Sequence, residues 1–167
     1  MEFMTDHDPV ETAWRVHAAI VEWTGKVDAK ASFAATIESV ILGGVITLSD
    51  SRRLLADLNS FPAILRDVGL AILAFAVLCA ISVVTPRLRS SKMKNEASDN
   101  FIYFGHLRHW TPFELAEVLA YRDTLPVLSR QLVVMSKVAW QKHRRVQVSL
   151  LASVVAVALI SLASWLA

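Results

Sequence analysis

Apolar positions in this chain fall in long blocks and do not alternate. Residues 68–86 contain no charged side chain, residues 146–167 contain none, and residues 31–49 contain only Glu38. Each block approaches the about 20 residues that an α-helix needs to cross a hydrocarbon layer about 30 Å thick. An uncharged block of that length has no polar face to turn towards water, as an outer helix of a soluble bundle must. The pattern therefore predicts an all-α integral membrane protein with three transmembrane helices.

Helix signals outside the blocks extend two of these spans. Asp8 followed by Pro9 is a start signal, a capping carboxylate ahead of a proline in the first turn. From there Val10, Trp14, Val16, Ile20, Val21 and Val27 recur at helical spacing, with no strong breaker before Gly43 and Gly44. Thr111-Pro112-Phe113-Glu114 has the form of a capping box and predicts a helix reaching about Tyr121. Asp123 or Thr124 then caps a further helix with Pro126 in its first turn, and that helix meets no glycine or proline on its way into the last apolar block. The first and third spans are thus long helices that extend beyond the bilayer into a small cytosolic helical bundle. The layout is a cytosolic N-terminal helix at 1–30, spans at 31–49, 67–86 and 146–167, an external connection at 50–66, and a cytosolic linker and bundle at 87–145. Within the connection, Leu54, Leu55, Leu58 and Phe61 are spaced to lie on the membrane surface. The stretch from 87 to 100 is polar, lacks periodicity and reads as a flexible linker. The polar beginning has no signal-peptide core, and Met4 is an alternative start that would make residues 1–3 a non-native leader.

Composition agrees with a membrane protein, with 54% of residues hydrophobic. Of 17 Lys and Arg, 11 fall between residues 87 and 145, three before residue 31 and three (Arg52, Arg53, Arg66) in the 50–66 connection. Positive charge is retained on the cytoplasmic side. That places the 87–145 segment and the N-terminus in the cytosol and the C-terminus outside. A net charge of +2 is too small for a nucleic-acid binder. Cys79 is the only cysteine and lies within a span, so no disulfide framework exists.

Candidate chemistry is sparse. No phosphate-binding glycine loop, nucleophile motif or cysteine cluster is present, and the histidines lack metal-ligand spacing, so neither catalytic nor metal-binding residues are assigned. Glu38 sits near the middle of span one, where an ionised side chain costs about 2.5–3.5 kcal/mol on insertion scales. It must face other helices, a wet cavity or a partner subunit, or be protonated, and it is the candidate pore or subunit-contact residue. Lys26, Asp28 and Lys30 mark the membrane boundary, where the lysines can snorkel and Asp28 can pair with Lys142, Arg144 or Arg145. Asp28, Lys30 and Lys142 are thus candidates for structural coupling between the long helices. Lys137, Lys142, Arg144 and Arg145 form a basic turn ahead of the last span, either an orientation signal against anionic headgroups or a phosphate-binding patch. Between spans two and three, Phe101, Tyr103, Phe104 and Trp110 are interleaved with Gly105, His106, Arg108 and His109. Aromatic faces stack nucleobases and Arg binds phosphate, but the same aromatics can equally anchor the linker.

Three stretches, VDAKASF at 27–33, FIYFGHL at 101–107 and RQLVVMSKVAWQKHRRVQVSLLASVVAVAL at 130–159, resemble the transmembrane Pycsar effector family (PycTM). The resemblance runs over about residues 20 to 165. It implies a non-enzymatic effector of bacterial anti-phage defence that impairs the inner membrane as a homo-oligomer. It also implies an activating cyclic pyrimidine mononucleotide, cCMP or cUMP, and no cofactor. No separate cyclic-nucleotide-binding fold is visible, so a ligand must bind the helical bundle itself, with Tyr103, Phe104, Gly105, His106, Arg108 and Arg144 as the candidate contacts. Glu38 departs from the small or Asn-like residue that the family would place there. The alternative is a membrane scaffold or accessory subunit whose cytosolic bundle docks a protein partner.

Overall fold

The computed structural model describes residues 8–49, 60–85 and 96–166. Five α-helices and one 3-10 turn follow one another: α1 Pro9–Leu48, α2 Ser60–Val84, the turn Ala97–Asp99, α3 Phe104–Leu107, α4 Pro112–Tyr121 and α5 Leu125–Trp165. Three helices are long and apolar enough to cross a membrane: Pro9–Leu48, Phe61–Val84 and Leu125–Trp165. The protein is therefore an all-α membrane protein. The amphipathic positions Leu54, Leu55 and Leu58, the arginines at 52 and 53, residues 87–95 of the polar linker and residues 1–3 lie outside the described residues.

The helix ends follow local chemistry. Asp8 Oδ1 accepts from the Val10 N–H at 2.9 Å and the Asp8 carbonyl from Thr12 at 3.0 Å, which satisfies donors left open at a helix start. Gly43 and Gly44 do not interrupt α1, which continues to Leu48. Asp123 Oδ1 accepts from Leu125 N at 3.0 Å and opens α5. α2 begins at Ser60, so Phe61 and Arg66 belong to a helix and not to a connection. Arg66 pairs with its neighbour Asp67 at 2.9 Å, which offsets the cost of carrying a charge in the first turns.

The chain divides into two compact units. One contains residues 25–85 and 141–167: the later part of α1, α2 and the later part of α5. At one end Val27, Ala31, Val83 and Val146 form a buried cluster, and at the other Val45 and Ile160 pack with Ile41 and Leu70. Position 27 meets 83 and 45 meets 70, so α2 runs antiparallel to α1, while α5 runs parallel to it. Small side chains recur along this packing: Ala31, Ala76, Ala80, Ala156 and Ala163 have no exposed surface, with Leu73 the large side chain fully buried among them. Small side chains let helices approach closely, which is the main source of packing energy where lipid is as apolar as the side chains. Gly69 marks the tightest approach, since a Cβ there would lie 2.7 Å from Ile160 Cγ1 and 3.1 Å from the Ala156 carbonyl oxygen.

The other unit contains residues 8–24 and 96–140 among those described. Residues 96–100 are ordered rather than linker-like, with Ala97 buried. Arg122 donates to the Ser98 carbonyl at 2.8 Å and to Asp99 Oδ1 at 3.1 Å, fastening this turn to the end of α4. α4 opens with a full capping box: Thr111 Oγ1 accepts from Glu114 N, and the Glu114 carboxylate accepts from the Thr111 hydroxyl at 2.7 Å and from its N–H at 3.1 Å.

Two outcomes test this description. Gly69→Ala should cost about 1–3 kcal/mol of unfolding free energy in micelles through overpacking. Gly43→Ala, with nothing within 4 Å of its added Cβ, should be neutral or gain up to about 1 kcal/mol of helix propensity. Equal effects would show that α2 and α5 do not meet at Gly69. The hydroxyl of Thr111, then its N–H, hold the Glu114 carboxyl below its ordinary value of 4.5. A carboxyl lowered by folding stabilises fully above its unfolded value, and that contribution is lost as pH falls through the folded one. Amide protection factors at the start of α4, after division by the intrinsic exchange rate at each pH, should therefore be constant above pH 4.5 and fall only below it.

Candidate functional site

In the unit holding residues 96–140, the aromatic stretch divides its labour. Phe101 is 3% exposed and acts as an anchor, and Trp110 donates its indole N–H to the Asn100 carbonyl at 3.3 Å. Tyr103 precedes α3 in extended conformation and lies against Phe104, with ring centroids 4.5 Å apart, and against His106 at 5.5 Å, edge to face. Phe104 itself is 64% exposed. Gly105 is buried beneath this cluster. His106 Nδ1 is buried with no hydrogen-bond partner among the described residues. Arg108 is exposed and donates from Nε to His109 Nε2 at 3.1 Å. Tyr103, Phe104, Gly105, His106 and Arg108 thus lie together around the exposed Phe104 ring, with the His106 Nδ1 enclosed and the Arg108 guanidinium exposed. Arg144 belongs to the other unit.

That other unit holds three polar features. At its first turn on α1, Asp28 accepts from Lys142 Nζ through both oxygens, at 2.6 and 2.7 Å. Of the three cations within sequence reach of Asp28, the structure selects Lys142. Lys30 points to the exposed side, outside this pair. Ten residues further along α1, Glu38 is 2% exposed and Ser149 on α5 is fully buried. The Ser149 hydroxyl lies 2.8 Å from Glu38 Oε1 and 2.9 Å from the Ala76 carbonyl of α2. One hydroxyl proton faces two acceptors, and Glu38 Oε2 has no partner among the described residues. Among the described residues Glu38, the candidate pore or subunit-contact residue, lies enclosed between the three spans of this chain with Ser149 of α5 as its donor. The third feature is a cleft of about 260 Å³ lined by Cys79, Gln141, Arg144, Arg145 and Val148.

Sequence reasoning missed Ser149, Gln141 and the place of Cys79. A serine in an apolar helix commonly bonds back to its own backbone, as Ser32, Thr36 and Thr47 do here, so nothing in the string marks Ser149 as a cross-helix donor. Among the described residues no three His, Cys, Asp or Glu side chains gather as metal ligands.

A family model described as the Pycsar effector protein domain (PycTM) matches residues 12–167. No curated protein and no solved structure matches the chain.

The donor shortage at Glu38 makes a directional prediction. Ser149→Ala leaves two buried acceptors without their donor and should cost about 1–3 kcal/mol in unfolding free energy. Glu38→Gln brings its own N–H donors in the same volume and should be neutral or stabilising. Thermal unfolding in micelles measures both, and a Glu38→Gln loss as large as that of Ser149→Ala would contradict the proton count.

Proposed function

Because the chain belongs to the Pycsar effector family, membrane effectors of anti-phage defence, we propose that it answers a cyclic pyrimidine mononucleotide by oligomerising and impairing the bacterial inner membrane. The observation that carries the ligand half of this reading is the pair of Tyr103 and exposed Phe104 beside the exposed Arg108. A flat apolar face stacks a base, and Arg108 supplies charge for the phosphate. The 87–145 segment, with its excess of Lys and Arg, faces the cytosol, where such a nucleotide is made. A bound ligand shifts a packing equilibrium only by its differential affinity for the two packings. The aromatic pair shares its compact unit with the first turns of α1 and α5, both of which are unbroken helices into the spans. A changed packing of those turns is the route by which binding reaches the membrane.

The oligomer half is supported by the outer face of α1. Ser32, Thr36, Ser39, Gly43 and Thr47 are all exposed and recur every three or four residues. The packed face, Val27, Ala31, Ala34, Glu38 and Val45, lies on the opposite side of the helix. A hydroxyl- and glycine-bearing stripe turned away from the core suits contact with another copy or with water better than contact with acyl chains. A second reading, a scaffold that docks a protein, is favoured by α4. That helix has no buried residue and leaves Phe113 80% and Tyr121 88% exposed.

Dye release from liposomes containing the protein tests the proposal. Leakage should rise on adding cCMP or cUMP inside the compartment that the aromatic pair faces. Phe104→Ala and Arg108→Ala should each raise the nucleotide concentration required by about tenfold, the order of one lost stacking or charged contact, with unfolding temperatures unchanged. Gly43→Leu should abolish leakage and leave nucleotide binding intact. Nucleotide-independent leakage, or none at any protein density, would overturn the proposal, and recovery of a stoichiometric protein partner through α4 would favour the scaffold.

A further inference from the structure

We infer that the cleft between α2 and α5 is a binding site for the phosphate of an anionic phospholipid headgroup. This does not depend on the nucleotide reading, which rests on Tyr103, Phe104 and Arg108; Arg144, a candidate for it by sequence, belongs to the other unit.

The site sits where charge ends. Gln141, Arg144 and Arg145 occupy the last polar turns of α5, and from Val146 onward that helix carries no charged side chain. Val148, one turn further along the same face of α5, and Cys79, within the span Phe61–Val84 of α2, form the apolar part of the wall. The cleft of about 260 Å³ is therefore mostly apolar, with two arginine side chains at its polar end. That is the chemistry of a phospholipid at the point where phosphate passes into glycerol and acyl chain. A soluble phosphate compound would find the same arginines but would leave the apolar wall unused.

Charge bookkeeping in the same turn points the same way. Lys142 is committed to Asp28 through two hydrogen bonds. Among the described residues, neither Arg144 nor Arg145 has a carboxylate within ion-pair distance, so two guanidinium charges beside the cleft are uncompensated. Arg145 of α5 and Cys79 of α2 line the same cleft, which brings that cation's side chain to the seam between the two helices. Guanidinium forks engage phosphate oxygens two at a time, Gln141 adds an amide donor, and basic pockets between membrane helices are known receptors for anionic headgroups.

Cys79 is the sole cysteine of the chain and lines the cleft, so it reports occupancy without any substitution. In nanodiscs, a membrane-permeant maleimide should label Cys79 more slowly with phosphatidylglycerol present than with phosphatidylcholine alone, by about fivefold or more. Inorganic phosphate added to the phosphatidylcholine discs should give no protection. Arg145→Gln, and separately Arg144→Gln, should remove most of the phosphatidylglycerol protection, while Lys137→Gln should leave it intact. Native mass spectrometry of the intact protein should retain phosphatidylglycerol in preference to phosphatidylcholine, with the same dependence on the two arginines. Equal labelling in the two lipids, or protection lost equally with Lys137→Gln, would reduce the cleft to diffuse surface attraction and overturn the inference. Protection by inorganic phosphate or by a cyclic nucleotide would assign the site to a soluble anion and overturn it as well.

Discussion

A single hydroxyl proton governs how the three spans meet. Glu38 is a carboxyl in an apolar layer, and Ser149 is the donor that reaches it. The same hydroxyl also faces the Ala76 carbonyl, so α1, α2 and α5 converge on one oxygen atom. In lipid there is no water to take the place of a lost partner, and rotation of α1 or sliding of α5 would strand the carboxyl. The Asp28–Lys142 pair fixes the same two helices ten residues away along α1. Two such points restrain both rotation and register. The alanines around them then decide only how close the helices come.

The small contacts have a consequence for what lies outside. Helices that touch through alanine and Gly69 bury little of their circumference. Only 22%, 33% and 28% of the three apolar windows are enclosed, which leaves wide faces for lipid or for further copies. On α1 one of those faces is polar enough to be a poor match for acyl chains. That asymmetry, a well-specified inner face and an exposed hydroxyl-bearing outer one, is the physical basis for the proposal that copies of this chain associate.

The two chemically distinctive surfaces belong to different units and have different textures. The rings of Tyr103, Phe104 and His106 pack on one another and leave Phe104 exposed, a surface for a flat ligand. The arginine cleft is mostly apolar with two cations beside it, a shape for a molecule that is itself amphipathic. Both surfaces contain Arg, yet the neighbouring groups assign them different partners, so the count of cations in the string does not say how many anion sites exist or of what kind.

Helical extents and helix starts were legible from the string, because they depend on neighbours three or four residues apart. Asp8 ahead of Pro9, the Thr111 box and Asp123 all cap as their local chemistry dictates, and the uncharged blocks declare the spans. The resemblance to the Pycsar effectors was legible for a similar reason, since its motifs are contiguous. What the string left open was every choice between helices. It offered three cations for Asp28, and distance in the folded unit selected Lys142. It put Phe104 and not Phe101 among the candidate contacts without a packing reason, and packing buried Phe101 and left Phe104 exposed. It marked Glu38 as costly without naming Ser149, more than a hundred residues away, as its donor. The rotation of one helix against another is set by side chains meeting across space, and no local period along the chain encodes it.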